Sequence, residues 1–226
     1  MTEETSILLN ELNLEKTRFS LASNTRLITN FDISPQDFIK YAEFDLASKY
    51  EHNIVNALSN SKRALDCQLD SLLFSFGYYQ KSQKGFWSFP KKLDLIKDFG
   101  VIAPRVLKKI NKQRNLLEHQ FIKPEKETVE DFLDIAMLFI ASTDQYILRF
   151  VDELHLKNEE IDKTFVIQND YKNSAFRISE FKNTLMLSVG EERREECGEL
   201  PLKVHMFSLD DIDYNTILLE YLKRIR

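Results

Sequence analysis

Few residues of this chain are suited to turning or cross-linking it: glycine and proline number five each among 226 residues, beside two cysteines and one tryptophan. So few turn-formers disfavour a fold of many short strands and favour long helices. Cys67 and Cys197 lie far apart and outside any Cys-x-x-Cys or Cys/His ligand spacing. That argues against a zinc site and against a disulfide-built secreted fold. No run approaches the roughly 20 apolar residues that a membrane-spanning helix needs. The opening MTEETSILLNELNLEK starts with acids and lacks the basic start and apolar run of a secretory leader. A cytoplasmic protein with no membrane association is expected. Also missing are a Gly-rich phosphate loop, a serine nucleophile elbow, a His-Glu-x-x-His string and a carboxylate metal cluster. Neither a metal nor another cofactor is therefore expected, and nucleotidyltransferase or hydrolase chemistry has little support.

What is present supports a packed core. Apolar residues make up 43% of the chain and charged residues 30%, with a net charge of −5. The charge is unevenly spread. Residues 81–126 hold twelve basic and four acidic side chains, a local +8 that leaves −13 for the rest. A basic segment in an acidic chain is the electrostatic footprint that a phosphate backbone selects, although a solvated lysine face would read the same way. Within it, Phe86, Trp87 and Phe89 continue an aromatic run from Phe74, Phe76, Tyr78 and Tyr79, interleaved with Lys81, Lys84, Lys91 and Lys92. Such rings either stack bases beside phosphate-holding lysines or pack a helix end into the core; core packing is the commoner use.

Three segments are expected along the chain. Residues 1–33 form an N-terminal extension, with a short amphipathic helix through Ile7, Leu8, Leu9, Leu12 and Leu14 and then loop or strand. Residues 34–157 read as helical. Ser34 caps, Pro35 suits the first helical position, and Asp37 favours the positive helix end. Apolar positions then recur at helical spacing to Phe76, with a break near Tyr50 and a stop at Gly77. A short helix spans Lys91–Asp98, another runs between Pro104 and Pro124, and a long one runs from Thr128 to about Leu156. Residues 158–226 change character. Phe165–Gln168, Ala175–Phe181, Thr184–Val189 and Leu202–Phe207 read as strands, and Ser208 caps a closing helix through Ile225. The expected fold is mainly α, a helical bundle with a small β-rich module.

The helix between the two prolines carries the chemistry. Its core stripe reads Leu107, Ile110, Arg114, Leu117 and Phe121, so Arg114 stands where packing would place Leu or Ile. A guanidinium there needs anionic partners or a cleft, because burying it unpaired costs several kcal/mol. Asn115 and His119 share the neighbouring face with Lys108 and Asn111. By contrast His52, His155 and His205 stand alone, as core or surface histidines usually do.

The string Arg114-Asn115-Leu116-Leu117-Glu118-His119 resembles the signature of the HEPN superfamily, in which Arg precedes His by a few residues, often with Asn beside the Arg. The resemblance covers roughly residues 50–156 and includes the preceding helix around Asn60–Asp66, the proline-ended motif helix and the long helix after it. It implies a four-helix bundle that forms a homodimer, pairs two motif copies in one cleft and cuts RNA without a metal. His119 would then be the acid/base, Arg114 the phosphate stabiliser and Asn115 the orienting group, with Lys108, Asn111 and Lys112 binding RNA. Histidine can give or take a proton near neutral pH, and arginine presents fixed donors to a phosphate as charge builds on it. The resemblance further implies a toxin or anti-phage defence effector with a cognate regulator protein. Phe121 stands where some toxin members carry a tyrosine that is modified to silence them. Other superfamily members are non-catalytic scaffolds that bind a protein partner or a nucleotide, which is the alternative reading.

Overall fold

The computed structural model describes residues 1–13, 15–101, 124–182 and 200–225. The chain divides into two compact units. One comprises Met1–Arg26, Phe76–Tyr78 and Arg149–Arg226, the other Leu27–Ser75 and Tyr79–Leu148. The expected boundaries, after residues 33 and 157, are not where these units divide.

The second unit is helical among its described residues: α2 (Pro35–Ala47), α3 (Asn53–Ser75), α4 (Tyr79–Lys84), α5 (Phe89–Asp98), α6 (Lys126–Thr143) and the single turn α7 (Gln145–Leu148). Helix α2 starts as its sequence requires. The Ser34 side chain accepts a hydrogen bond from the Asp37 amide, and Asp37 accepts one from the Ser34 amide, closing a capping box with Pro35 at the start of the helix. Along α3 the buried stripe mixes small Ala57, Ser61 and Ala64 with Leu65, Leu69 and Leu72, and α3 packs against both α2 and α6. Gln68 crosses this core, donating to Thr143 Oγ1 at 2.8 Å and to Asp144 at 3.2 Å.

The first unit is built on an antiparallel sheet, ordered β1-β2-β3-β4-β5 among the described residues. Its strands are β1 (Thr17–Thr25), β2 (Phe150–Asn158), β3 (Lys163–Asp170), β4 (Ala175–Lys182) and β5 (Lys203–Ser208). Helix α1 (Glu3–Glu11) and the closing α8 (Tyr214–Ile225) complete it. Tyr214, Ile217, Leu218, Tyr221 and Leu222 are buried, and Phe176 of β4 meets the rings of Tyr214 and Tyr221 at 5.4 and 5.3 Å. Gly77 takes φ +76, and a Cβ there would lie 2.4 Å from the Tyr214 hydroxyl, so neither the conformation nor the space admits a side chain.

The expected mainly-α fold is therefore wrong: the chain is mixed α/β, with an extended antiparallel sheet in place of a small β-rich appendage to a four-helix bundle. Two strands account for the error. The long helix expected to reach Leu156 ends at Thr143, where Ser142 and Thr143 turn their hydroxyls back to the Phe139 carbonyl and compete with the helix ladder. Beyond it, Phe150–Asn158 is strand β2. Ile147, Phe150, Val151 and Leu154 keep helical spacing, but Leu154 and Leu156 also alternate with Glu153 and His155, and pairing on both sides by β1 and β3 decides for strand. Residues 1–26 are likewise part of the sheet unit, since β1 pairs along β2 and Leu8 and Leu12 are buried. The remaining expected strands at 165–168, 175–181 and 202–207 fall within β3, β4 and the β5 region, while Thr184–Val189 lies outside the described residues. The closing helix begins at Tyr214, later than the Ser208 cap suggested, because Asp211 accepts from the Ser208 amide and hydroxyl in a separate turn. Among the described residues no helix is long and apolar enough to cross a membrane.

Candidate functional site

The residues expected to carry catalysis and RNA contact, Arg114, Asn115, His119, Lys108, Asn111 and Lys112, all lie outside the described residues, as do Arg105, Lys109 and Lys123 of the basic segment. The described part of that segment is α4, α5, the turn joining them and the start of α6.

Its lysines are used in two ways. Lys92 is drawn into the helical unit, where it meets Asp70 at 2.5 Å with both side chains largely covered, and Lys126 pairs with Glu130 one turn along α6. Lys81, Lys84, Lys91 and Lys97 are exposed. The aromatic run divides as well. Phe76, Tyr78 and Phe89 are buried; Phe31 meets Phe74 and Tyr79 edge-on at 6.4 and 5.6 Å, and Phe74 and Tyr79 lie tilted at 5.0 Å. Phe86 does the opposite: it is 94% exposed. Beside it the Lys91 ammonium lies over the Trp87 ring, 4.4 Å from the centroid. Core packing therefore explains most of these rings and leaves Phe86 unexplained.

Of the two cysteines, Cys67 lies among the described residues and Cys197 does not. Burial, with Asp70, Asp66 and Asp37 nearby, pushes the Cys67 thiol up to about 11, which removes it as a nucleophile near neutral pH.

The sheet unit contains a cavity of about 540 Å³ between α1 and the strands β3, β4 and β5. Most of its polar wall residues pair with one another. Lys163 bridges Glu11 at 2.9 Å and Glu180 at 3.0 Å. His205 Nε2 donates to Glu180 at 2.5 Å, its Nδ1 lies 3.4 Å from Glu4, and Glu4 also meets Lys203 at 2.6 Å. Burial alone would raise the Glu180 carboxyl, but the bonds from His205 and Lys163 outweigh it and hold the group below the usual carboxylate range. Burial likewise opposes the charge on Lys163, and its bonds to Glu11 and Glu180 nonetheless raise its pKa. Three of the four lining carboxylates, Glu4, Glu11 and Glu180, thus face two lysines and a histidine whose ring nitrogens both point at carboxylates. The arrangement is a clamp of α1 onto the sheet; no ring nitrogen is open to a substrate. A second buried histidine, His155, is held by Glu153 at 2.8 Å, and Glu153 accepts from Gln168 across the strand pair at 2.9 Å. Among the described residues no His, Cys, Asp and Glu group could hold a metal ion.

The sequence could not have exposed this network, whose members at positions 163, 180, 203 and 205 meet through strand register and at 4 and 11 through the seating of α1. Phe86 did leave a signal, a ring flanked by Gly85 and lysines, which core packing at its neighbours obscured. No protein-family model matches the chain, and no curated protein or solved structure matches it either.

Proposed function

We propose that this chain binds and cleaves RNA without a metal, by the chemistry of HEPN ribonucleases, using Arg114, Asn115 and His119. The observation that carries the reading is the Arg114-Asn115-x-x-x-His119 string inside a segment of net charge +8 in an acidic protein. The packing of α3 against α2 and α6 supports it, since the basic segment joins α5 to α6 within a helical unit. In this chemistry the RNA 2′-oxygen attacks the adjacent phosphorus as its proton is removed, and the bond from phosphorus to the 5′-oxygen breaks as that oxygen gains a proton. The products are a 2′,3′-cyclic phosphate and a 5′-hydroxyl. His119 moves the protons, Arg114 holds the phosphate oxygens as they gain charge, and Asn115 orients the imidazole or donates to the phosphate. A homodimer, a cytoplasmic setting and service as a toxin or defence effector under a regulator protein belong to the same reading.

The test is incubation of cellular RNA in EDTA with the wild type, His119→Ala and Arg114→Ala. Cleavage by the wild type alone, leaving 2′,3′-cyclic phosphate ends, is expected. Equal cleavage by His119→Ala would remove the assigned acid/base. RNA left intact by every form, with the dimer verified by light scattering, would favour the non-catalytic scaffold that binds a protein or nucleotide.

A further inference from the structure

We infer that the turn joining α4 to α5 is a stacking platform for single-stranded RNA, with Phe86 receiving a base and Lys84 and Lys91 receiving the flanking phosphates. The inference rests on the RNA reading above and adds where, outside the motif helix, the strand is held.

The backbone supplies the first argument. Helix α4 ends in a pair of bonds that define a tight C-terminal cap: the Trp87 amide donates to the Ser82 carbonyl at 3.0 Å and the Phe86 amide to the Gln83 carbonyl at 3.2 Å. This cap requires a left-handed residue at its centre, a place that glycine usually fills. Here the residue is Phe86, at φ +47. For a bulky side chain that conformation is a genuine outlier. The available glycine sits one position earlier, at Gly85, where a Cβ would lie 2.7 Å from the Trp87 indole nitrogen. Glycine at 85 thus lets the indole close over the turn, and the turn in closing points the residue after it outward.

The second argument is that Phe86 gains nothing from the fold in return. Its ring is 94% exposed, so no packing offsets the strained backbone. One exposed aromatic is ordinary; one held in a disfavoured conformation on a hydrogen-bonded turn is a ring kept in place for something outside the chain. The surroundings name that partner. Lys84 precedes the turn and is exposed, and Lys91 is positioned 4.4 Å over the Trp87 ring on the next residue. Asp94 and Asp98 lie farther along α5, away from the turn in sequence. Flat rings between cations suit unpaired bases joined by phosphates, whose faces stack without regard to sequence. A duplex hides those faces.

Trp87 is the only tryptophan, so its emission reports this turn without a label. The probe is a fluorescein-labelled, 2′-O-methyl single strand of about a dozen mixed nucleotides, which has no 2′-hydroxyl to attack and cannot be cut. Binding by the full chain should quench Trp87 and raise the probe's anisotropy. Phe86→Gly should weaken binding by about ten-fold while leaving thermal stability equal or higher, and Phe86→Trp should restore affinity. A ring serving the fold would give the reverse, a loss of stability with affinity unchanged. Phe86→Leu restoring full affinity would overturn base stacking in favour of an apolar contact. If Phe86→Gly binds the strand as tightly as the wild type while cellular RNA is still cleaved, the platform is wrong and the proposed function stands. If the wild type ignores the strand and leaves cellular RNA intact, the RNA reading fails and the platform falls with it.

Discussion

In the sheet unit Lys163 is held between Glu11 and Glu180, and His205 between Glu180 and Glu4, whereas in the helical unit Lys84, Lys91 and Lys97 stand exposed on or beside α4 and α5. The same residue types serve two purposes. Where carboxylates surround them under partial burial, their energy is spent on joining α1 to strands far away in sequence. Where they stand at the surface, in a segment with four acids to twelve basic residues, they add little to stability and create a field that a polyanion can use. Two histidines join the first group. His155 and His205 have carboxylate partners and act as internal struts, while His119 belongs to the basic segment and carries the proposed chemistry.

The difference can be broken from either side. The largest expected effect is on the proposed cleavage. His119→Ala should lower its rate by about 10²- to 10⁴-fold, the usual contribution of a positioned acid/base, with little change in urea midpoint. Next, Glu180→Ala should destabilise the sheet unit by about 3 kcal/mol in urea unfolding, because Lys163 and His205 each lose a covered carboxylate at once. It should leave RNA cleavage by the folded protein unchanged. A loss of activity without a loss of stability would move the functional site into the α1 cavity.

The pH dependence sharpens the same contrast. Glu180 is held below the ordinary carboxylate value, so its contribution is complete above that value and is lost as pH falls through the depressed one. Lys163 is raised, so its contribution is complete below the ordinary lysine value and is lost as pH rises through the raised one. Stability measured from neutral pH down to about pH 3 should fall, and Glu180→Gln should flatten part of that fall. The smallest effect belongs to the helical unit. Ser34→Ala removes the acceptor at the start of α2 and should cost about 1 kcal/mol in thermal or urea unfolding, with the sheet network untouched.

These elements also differ in how far they could be read from the chain. The α2 cap was legible because Ser34, Pro35 and Asp37 act on amides within one turn of themselves. The core face of α3 and the stop near Gly77 were legible for the same reason, as was the strand character of 165–168 and 175–181. Strand β2 was not: Phe150, Val151 and Leu154 satisfy a helical period, and the alternation of Leu154 and Leu156 is too short to outweigh it locally. Nor was β1, whose partner lies more than 100 residues away. Of the candidate site, the string and its charge were visible in the order of residues alone. The division of the aromatic run between core and surface was not, because burial depends on what packs against each ring.

The sequence by itself determined the local matters: where several helices begin, which faces of them are apolar, that residues 81–126 are basic in an acidic chain, and that an Arg-Asn-x-x-x-His string stands at 114–119. Each depends on neighbours within a turn or two. Tertiary structure alone decided that the first 26 residues join the last 78 in one sheet unit, that Lys163 and His205 meet Glu11, Glu180 and Glu4, and that Phe86 faces outward from a left-handed turn. Strand pairing and ion pairing join residues far apart in the chain, and their energy depends on register and burial, neither of which exists before the chain has folded.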